Sequence, residues 1–308
     1  MSRPLRFFPS SRGMVRCLAP CLIAASAAPL AEAPPPRTMA EVLAQSAPAE
    51  WRVPDPENTL YLEVSSGRVV VELAPDFAPA HVANVKALVR AGHFDGSAVV
   101  RSQDNYVVQW ANRADGAPLG AGKASLPPEF SRPAAGLPFT RLPDPDTYAP
   151  ETGFSGGFPA ARDPQSGQAW LAHCYGMVGA GRDVAPDSGG GTELYAVTGH
   201  APRHLDRNVT LLGRVIDGIE RLSSLPRGTG ALGFYVDPAQ AAPIRAARIA
   251  ADLPPGERTA LELLRTDSAS FAAVVESRRS RREEWFVEPT GRIELCNVPL
   301  PVRPRQVP

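Results

Sequence analysis

The strongest constraint on this chain is the shortness of its apolar runs. "TLYLEV" (59–64) and "RVVVEL" (68–73) have the length and residue types of strands, and Ser65-Ser66-Gly67 between them is a turn, so the pair reads as a hairpin. "SAVVR" and "YVVQW" read as two more strands around a polar turn, and "CYGMVGAGR", "TELYAVTG", "VTLLGRVI" and "PIRAARIAADL" follow the same habit. Two helices interrupt this region. "APDFAPAHVANVKALVRAGHF" carries Pro79 near its first turn, Val82, Val85, Leu88 and Val89 on one face, and Gly92 as its stop. "DGIERLSSL" is a shorter one. So many short strands would leave many edges in an open sheet, which favours a closed barrel or a sandwich.

The flanks read differently. Arg3, Arg6, Arg12 and Arg16 precede the apolar "CLAPCLIAASAAPLA", and Ala25-Ser26-Ala27 or Ala31-Glu32-Ala33 offers a small-x-small cleavage site, the pattern of a signal peptide. The run is too short and too broken by proline to span a bilayer, so the expectation is a periplasmic or secreted protein. The chain then divides into a signal (1–33), a linker with a short helix (34–57), a β-rich domain (58–253) and a C-terminal extension (254–308). Thr38 and Glu41 have capping-box spacing for the linker helix. Within the domain, 114–172 is dense in Gly, Pro and Asp without sustained periodicity and reads as a loop-rich insertion. In the extension, "ERTALELLRTDSASFAAVVESRRSRREEW" reads as one or two helices contributing Leu261, Leu264, Phe271, Val274 and Val275 to apolar contacts. Arg278, Arg279, Arg281 and Arg282 form its solvated face, and "WFVEPTGRIEL" reads as a hairpin turning at Pro289 to Gly291.

Charge and cysteines exclude several classes. The formal net charge is zero, unlike the basic footprint of a nucleic-acid-binding domain. Cys17 and Cys21 leave with the signal. Cys174 and Cys296 remain, either as a disulfide, permitted in an oxidising compartment, or as two buried thiols. His81, His93, His173, His200 and His204 are scattered, so no metal and no other cofactor are expected.

"VVRSQDNYVVQW" (99–110) points to chemistry. An arginine and a glutamine set into apolar strands are costly unless their donors are used. Arg101, Tyr106 and Gln109, in the order of the strands around them, resemble the cyclophilin family of peptidyl-prolyl isomerases. The resemblance runs from about Asn58 to Leu253 through "APAHVANVKALVRAGHFDG", "GMVGAGR", "GTELYAVT" and "HLDRNVTLLGRVIDGIERL". It implies a mainly β fold, a closed antiparallel eight-stranded barrel capped by two helices, followed here by a helical and hairpin extension. It also implies Arg101 as the catalytic residue, with Tyr106, Val107, Gln109, Glu193, Tyr195, Leu212 and His204 binding substrate. Several positions depart from the family pattern: Val100 and Val209 replace histidines, His204 a tryptophan and Glu193 a glutamine. The implied partners are proline-containing flexible polypeptides, during the folding of exported proteins, with the protein acting as a monomer.

Rotation about an X-Pro bond changes no covalent bond; it passes through a twisted amide about 18–20 kcal/mol up. A donor aimed at the proline nitrogen, beside a pocket holding the ring, favours that twisted state over either planar one. Strict alternation would separate Tyr106 from Val107 and Gln109, so a bulge or a tight entry at Asn105 is needed to bring them together. Two other readings compete. The barrel could hold proline segments without turnover, and "GFSGG" (153–157) fits the nucleophile-elbow pattern of a serine hydrolase using Ser155, although proline-rich stretches flank it instead of a strand and a helix.

Overall fold

The computed structural model describes residues 37–305 except 115 and 282; the segment expected to be a signal peptide, with Cys17 and Cys21, and Arg282 lie outside the described residues. The short helix α1 (Met39–Ala44) starts as the capping box predicts: Thr38 Oγ1 accepts from Glu41 N–H at 3.2 Å, and the Thr38 N–H donates to the Glu41 carboxylate at 2.7 Å. After β1 (Trp51–Arg52) come the hairpin strands β2 (Thr59–Val64) and β3 (Gly67–Leu73), then α2 (Pro79–Arg90), β4 (Ala98–Ser102) and β5 (Val107–Ala111). Gly92 ends α2 with φ +76°, the left-handed geometry a C-terminal glycine provides. Ala78 gives the start of α2 no side-chain cap. Instead Glu129, from the insertion, accepts from the N–H groups of Ala80 (3.0 Å) and His81 (2.9 Å), placing a carboxylate at the positive end of the helix.

The insertion corrects the sequence reading. Residues 114–172 are not loop throughout; they form a second, five-stranded antiparallel sheet of β6 (Arg132–Pro133), β7 (Thr140–Arg141), β8 (Glu151–Ser155), β9 (Phe158–Asp163) and β10 (Gln168–Leu171), ordered β6-β10-β9-β8-β7. Two of its strands are two residues long, and β8, β9 and β10 are covered on both faces, so they lack the polar alternation that marks a half-exposed strand. Ser155 ends β8, and Gly156 and Gly157, at φ +59° and +96°, turn the chain straight back into β9. This is a strand-turn-strand hairpin with both central residues at positive φ. No helix follows Ser155, so the nucleophile-elbow reading fails.

β11 (Met177–Ala180), β12 (Glu193–Val197), β13 (Leu211–Asp217), α3 (Glu220–Ser223) and β14 (Ala242–Ile249) complete the domain. Eight strands close a barrel in the order β11-β12-β5-β4-β14-β2-β3-β13, all pairs antiparallel. Leu60, Leu62, Val69, Val71, Val108, Trp110 and Leu194 fill it, and Val82, Val85, Leu88 and Val89 of α2, with Leu222 of α3, join the same buried cluster.

The extension also differs from expectation. Leu261 and Leu264 lie in a strand, β15 (Leu261–Leu264), before the helix α4 (Ala269–Ser280); among the described residues no strand occurs around Pro289 to Gly291, and the last strand is β16 (Val302–Pro304). β15 finds partners distant in sequence, β1 on one side and β16 on the other, which a local pattern cannot reveal. The extension packs on the barrel within one compact unit. Cys174 and Cys296 are bonded across 122 residues of sequence, which settles the two alternatives left open. No helix among the described residues is long and apolar enough to cross a membrane.

Candidate functional site

Two irregularities in the β4–β5 hairpin place the site. Val99 faces the barrel interior, so alternation would turn Arg101 inward too; the register instead shifts between Val99↔Trp110 and Arg101↔Gln109, making Val100 an extra residue. The shift moves Arg101 to the outer face beside Gln109. At the other end, Asn105 adopts φ +50°, and the strand begins only at Val107. Tyr106 is thereby freed from strand alternation and lines the same cleft as Val107 and Gln109.

This cleft, of about 280 Å³, is walled by Arg101, Tyr106, Val107, Gln109 and Tyr195 on the barrel's outer face. The Arg101 guanidinium lies 5.5 Å from the centre of the Tyr106 ring. Its Nε donates to the carbonyl of Leu232 at 2.6 Å, one Nη to Gln109 Oε1 at 3.2 Å, and the other Nη to Gln103 Oε1. These bonds use three of five N–H donors and hold the fork in place, leaving the rest for a ligand. Burial draws its pKa below the ordinary arginine value, while Tyr106 opposes the change. The Gln109 amide in turn donates to the Glu193 carboxylate at 2.6 Å.

Other expected residues sit differently. Glu193 stands behind Gln109 as its tether and does not itself line the cleft. His204 is exposed and stacks over Tyr106, ring centres 6.4 Å apart and nearly parallel, at the rim. Leu212 is a correction: on β13 it points into the barrel and is fully buried in the interior cluster, because its neighbour Leu211 takes the outward position. Leu205, Val209 and Arg182 line the cleft instead. Sequence reasoning missed Leu205 because it closes a single helical turn, Arg203–Leu205, too short to show a period. Arg182, which donates to the carbonyls of Asn208 (2.9 Å) and Asp183 (2.7 Å), follows the glycine-rich "GMVGAG" and carried no signal of its own.

The family model "Cyclophilin type peptidyl-prolyl cis-trans isomerase/CLD" matches residues 59–249, more than half of the chain. The chain belongs to the cyclophilin family. Among relatives, a probable peptidyl-prolyl cis-trans isomerase of Brucella suis is 28% identical over 188 residues, covering 58% of this chain and 76% of the relative. One of Brucella abortus is 27% identical over the same length and shares of both chains. A crystal structure of a cyclophilin from Hirschia baltica superposes with a TM-score of 0.66 at 26% identity, covering 88% of this chain and 99% of that one.

Beneath this cyclophilin's cleft lies a buried polar chain. Tyr195 OH is 2.9 Å from His173 Nε2, and His173 Nδ1 is 2.9 Å from Asp206 Oδ1. Burial would raise Asp206, but hydrogen bonds from His173 and the Arg203 charge outweigh it, so the carboxylate lies below its ordinary range and accepts. Nδ1 therefore carries the proton, Nε2 accepts, and Tyr195, its hydroxyl pushed up by burial, donates. Gly179 makes room: a Cβ there would fall 2.4 Å from the Tyr195 ring. No group of three His, Cys, Asp or Glu side chains suited to a metal occurs among the described residues.

Proposed function

We propose that this cyclophilin accelerates X-Pro rotation in flexible client chains during the folding of exported proteins, acting as a monomer outside the cytoplasm. Arg101 is the catalytic residue; Tyr106, Val107, Tyr195, Leu205 and Val209 hold the proline ring, Gln109 holds client backbone with Glu193 fixing its amide, and His204 contacts the client at the rim. The observation that carries this reading is the tethered Arg101 fork above the apolar end of the cleft. The signal-like first residues and the Cys174–Cys296 bond support export, since disulfides persist in oxidising compartments.

Arg101 cannot act alone. A charge-assisted hydrogen bond contributes about 1.5–3 kcal/mol, and a tenfold rate change needs about 1.4 kcal/mol. One or two powers of ten can come from the fork; the rest comes from desolvation and from anchoring the chain on both sides of the bond. The test is a proline-isomerisation assay of the mature protein against Arg101→Ala. A loss of about tenfold or more is expected, equal rates overturn the assignment, and binding without catalysed exchange in the unaltered protein would favour a scaffold. Retention in the cytoplasm of a reporter fused after residue 33 would overturn export.

A further inference from the structure

A second recess, of about 650 Å³, opens on the same outer face one step beyond the cleft. Its floor is Ala98, Val100 and Ala111, and its roof is Phe234, Pro238 and Ala241 of the segment between α3 and β14. That segment is pinned at both ends. Tyr235 N–H donates to the Val100 carbonyl at 3.1 Å, and Ala242 and Pro243 pair with Val99 and Ala98, so residues 236–241 arch off β4 between the two attachments. The lining is mostly apolar, and the large apolar side chains of Leu232 and Val236 stand exposed beside it.

The recess adjoins the cleft. Gln109 lines one and Ala111 the other, two residues apart on the outer face of β5, or about 7 Å. The partition is Arg101 against Phe234: the guanidinium lies 5.5 Å from the Tyr106 ring on one side and 5.4 Å from the Phe234 ring on the other. Arg113 lies 5.7 Å from the same Phe234 ring and brings N–H donors to the recess mouth. An extended chain advances about 3.3–3.6 Å per residue, so a polypeptide with its proline in the cleft reaches the recess two or three residues away.

Resting on the isomerase reading, we propose that this recess is a client-binding subsite, taking an apolar or aromatic side chain two or three residues from the isomerising proline, with Arg113 donating to the adjoining peptide carbonyls. The roof segment selects which prolines are turned over, while Arg101 serves both compartments. The same guanidinium that meets the twisted bond forms the wall the flanking side chain passes.

The test uses peptides that share one X-Pro core and carry phenylalanine or serine two or three positions from the proline, on either side. On one side, kcat/KM for the phenylalanine peptide is expected to exceed that of its serine twin about tenfold, the scale of burying one apolar side chain. Ala241→Trp, which fills the recess, is expected to bring that ratio to one, and turnover of the serine peptide reports that the variant is folded. No phenylalanine preference on either side while serine peptides are turned over overturns the subsite, as does a preference that survives Ala241→Trp. Absence of turnover for every peptide removes the isomerase reading and the subsite with it.

Discussion

The barrel interior and the layer outside it use similar apolar residues but are held together by different forces. Inside, Leu60, Leu62, Val69, Val71, Val108, Trp110 and Leu212 are presented by strands whose backbone ladders close into a ring, and apolar packing fills the space between them. Outside, Val107 and Tyr195 of the barrel wall meet Phe154 of the inserted sheet and Phe271 of α4, elements far apart along the chain. That outer layer is stitched by specific links: the Cys174–Cys296 bond, Arg203 buried between Asp146 (3.0 Å) and Asp206 (2.6 Å), and Arg279 on Asp144 (2.7 Å). Where a closed ladder sets the register, apolar packing suffices; where elements meet without such a ladder, a disulfide and buried ion pairs tie them together. The Arg101 cleft lies on the boundary, its walls belonging to the barrel and its support to the outer layer.

The contrast can be broken in stages. Trp110→Ala should destabilise the whole protein by about 3–5 kcal/mol, read by denaturant unfolding; a loss confined to the outer layer would show that the interior is not the common foundation. Replacing both Cys174 and Cys296 with alanine should cost about 2–4 kcal/mol. Hydrogen exchange should then rise first in β8, β9 and α4 with the barrel strands still protected. Equal loss of protection in β2 and β3 would make the two regions one cooperative unit.

The smallest effect is acid sensitivity. Burial lowers the His173 pKa below the ordinary histidine value despite Asp206, so the folded state binds fewer protons than the unfolded chain. The corresponding stability is present above about pH 6.5 and is lost as the pH falls below it, by at most about 1.4 kcal/mol per unit for one group. Asp206, also held low, adds a second loss starting near pH 4. A stability profile flat between pH 7 and pH 5 would contradict a neutral, buried His173. Tyr195 fluorescence or exchange at β12 should follow the same titration, because its hydroxyl donates to that ring.

Most barrel strands were legible because they are runs of Val, Leu and Tyr, residues with high strand preference, bounded by turn residues as at Ser65-Ser66-Gly67. The inserted sheet was not, because two of its strands are two residues long and Pro159 and the alanines of "FPAAR" have little strand preference. In the site, the spacing of Arg101, Tyr106 and Gln109 pointed to a stretch that the structure brings together at one cleft, but the resemblance placed Leu212 there, whereas it points into the barrel, and said nothing of Leu205.

The sequence by itself determined the elements whose information is local: the hairpin, α1 with its capping box, α2 with its stop, and the two short strands that carry Arg101 and Gln109. Tertiary structure alone decided which way those residues face. A one-residue bulge at Val100 and a left-handed Asn105 turn Arg101 and Tyr106 onto the outer surface, and barrel closure with distant packing selects those conformations over the regular strand that the local pattern favours.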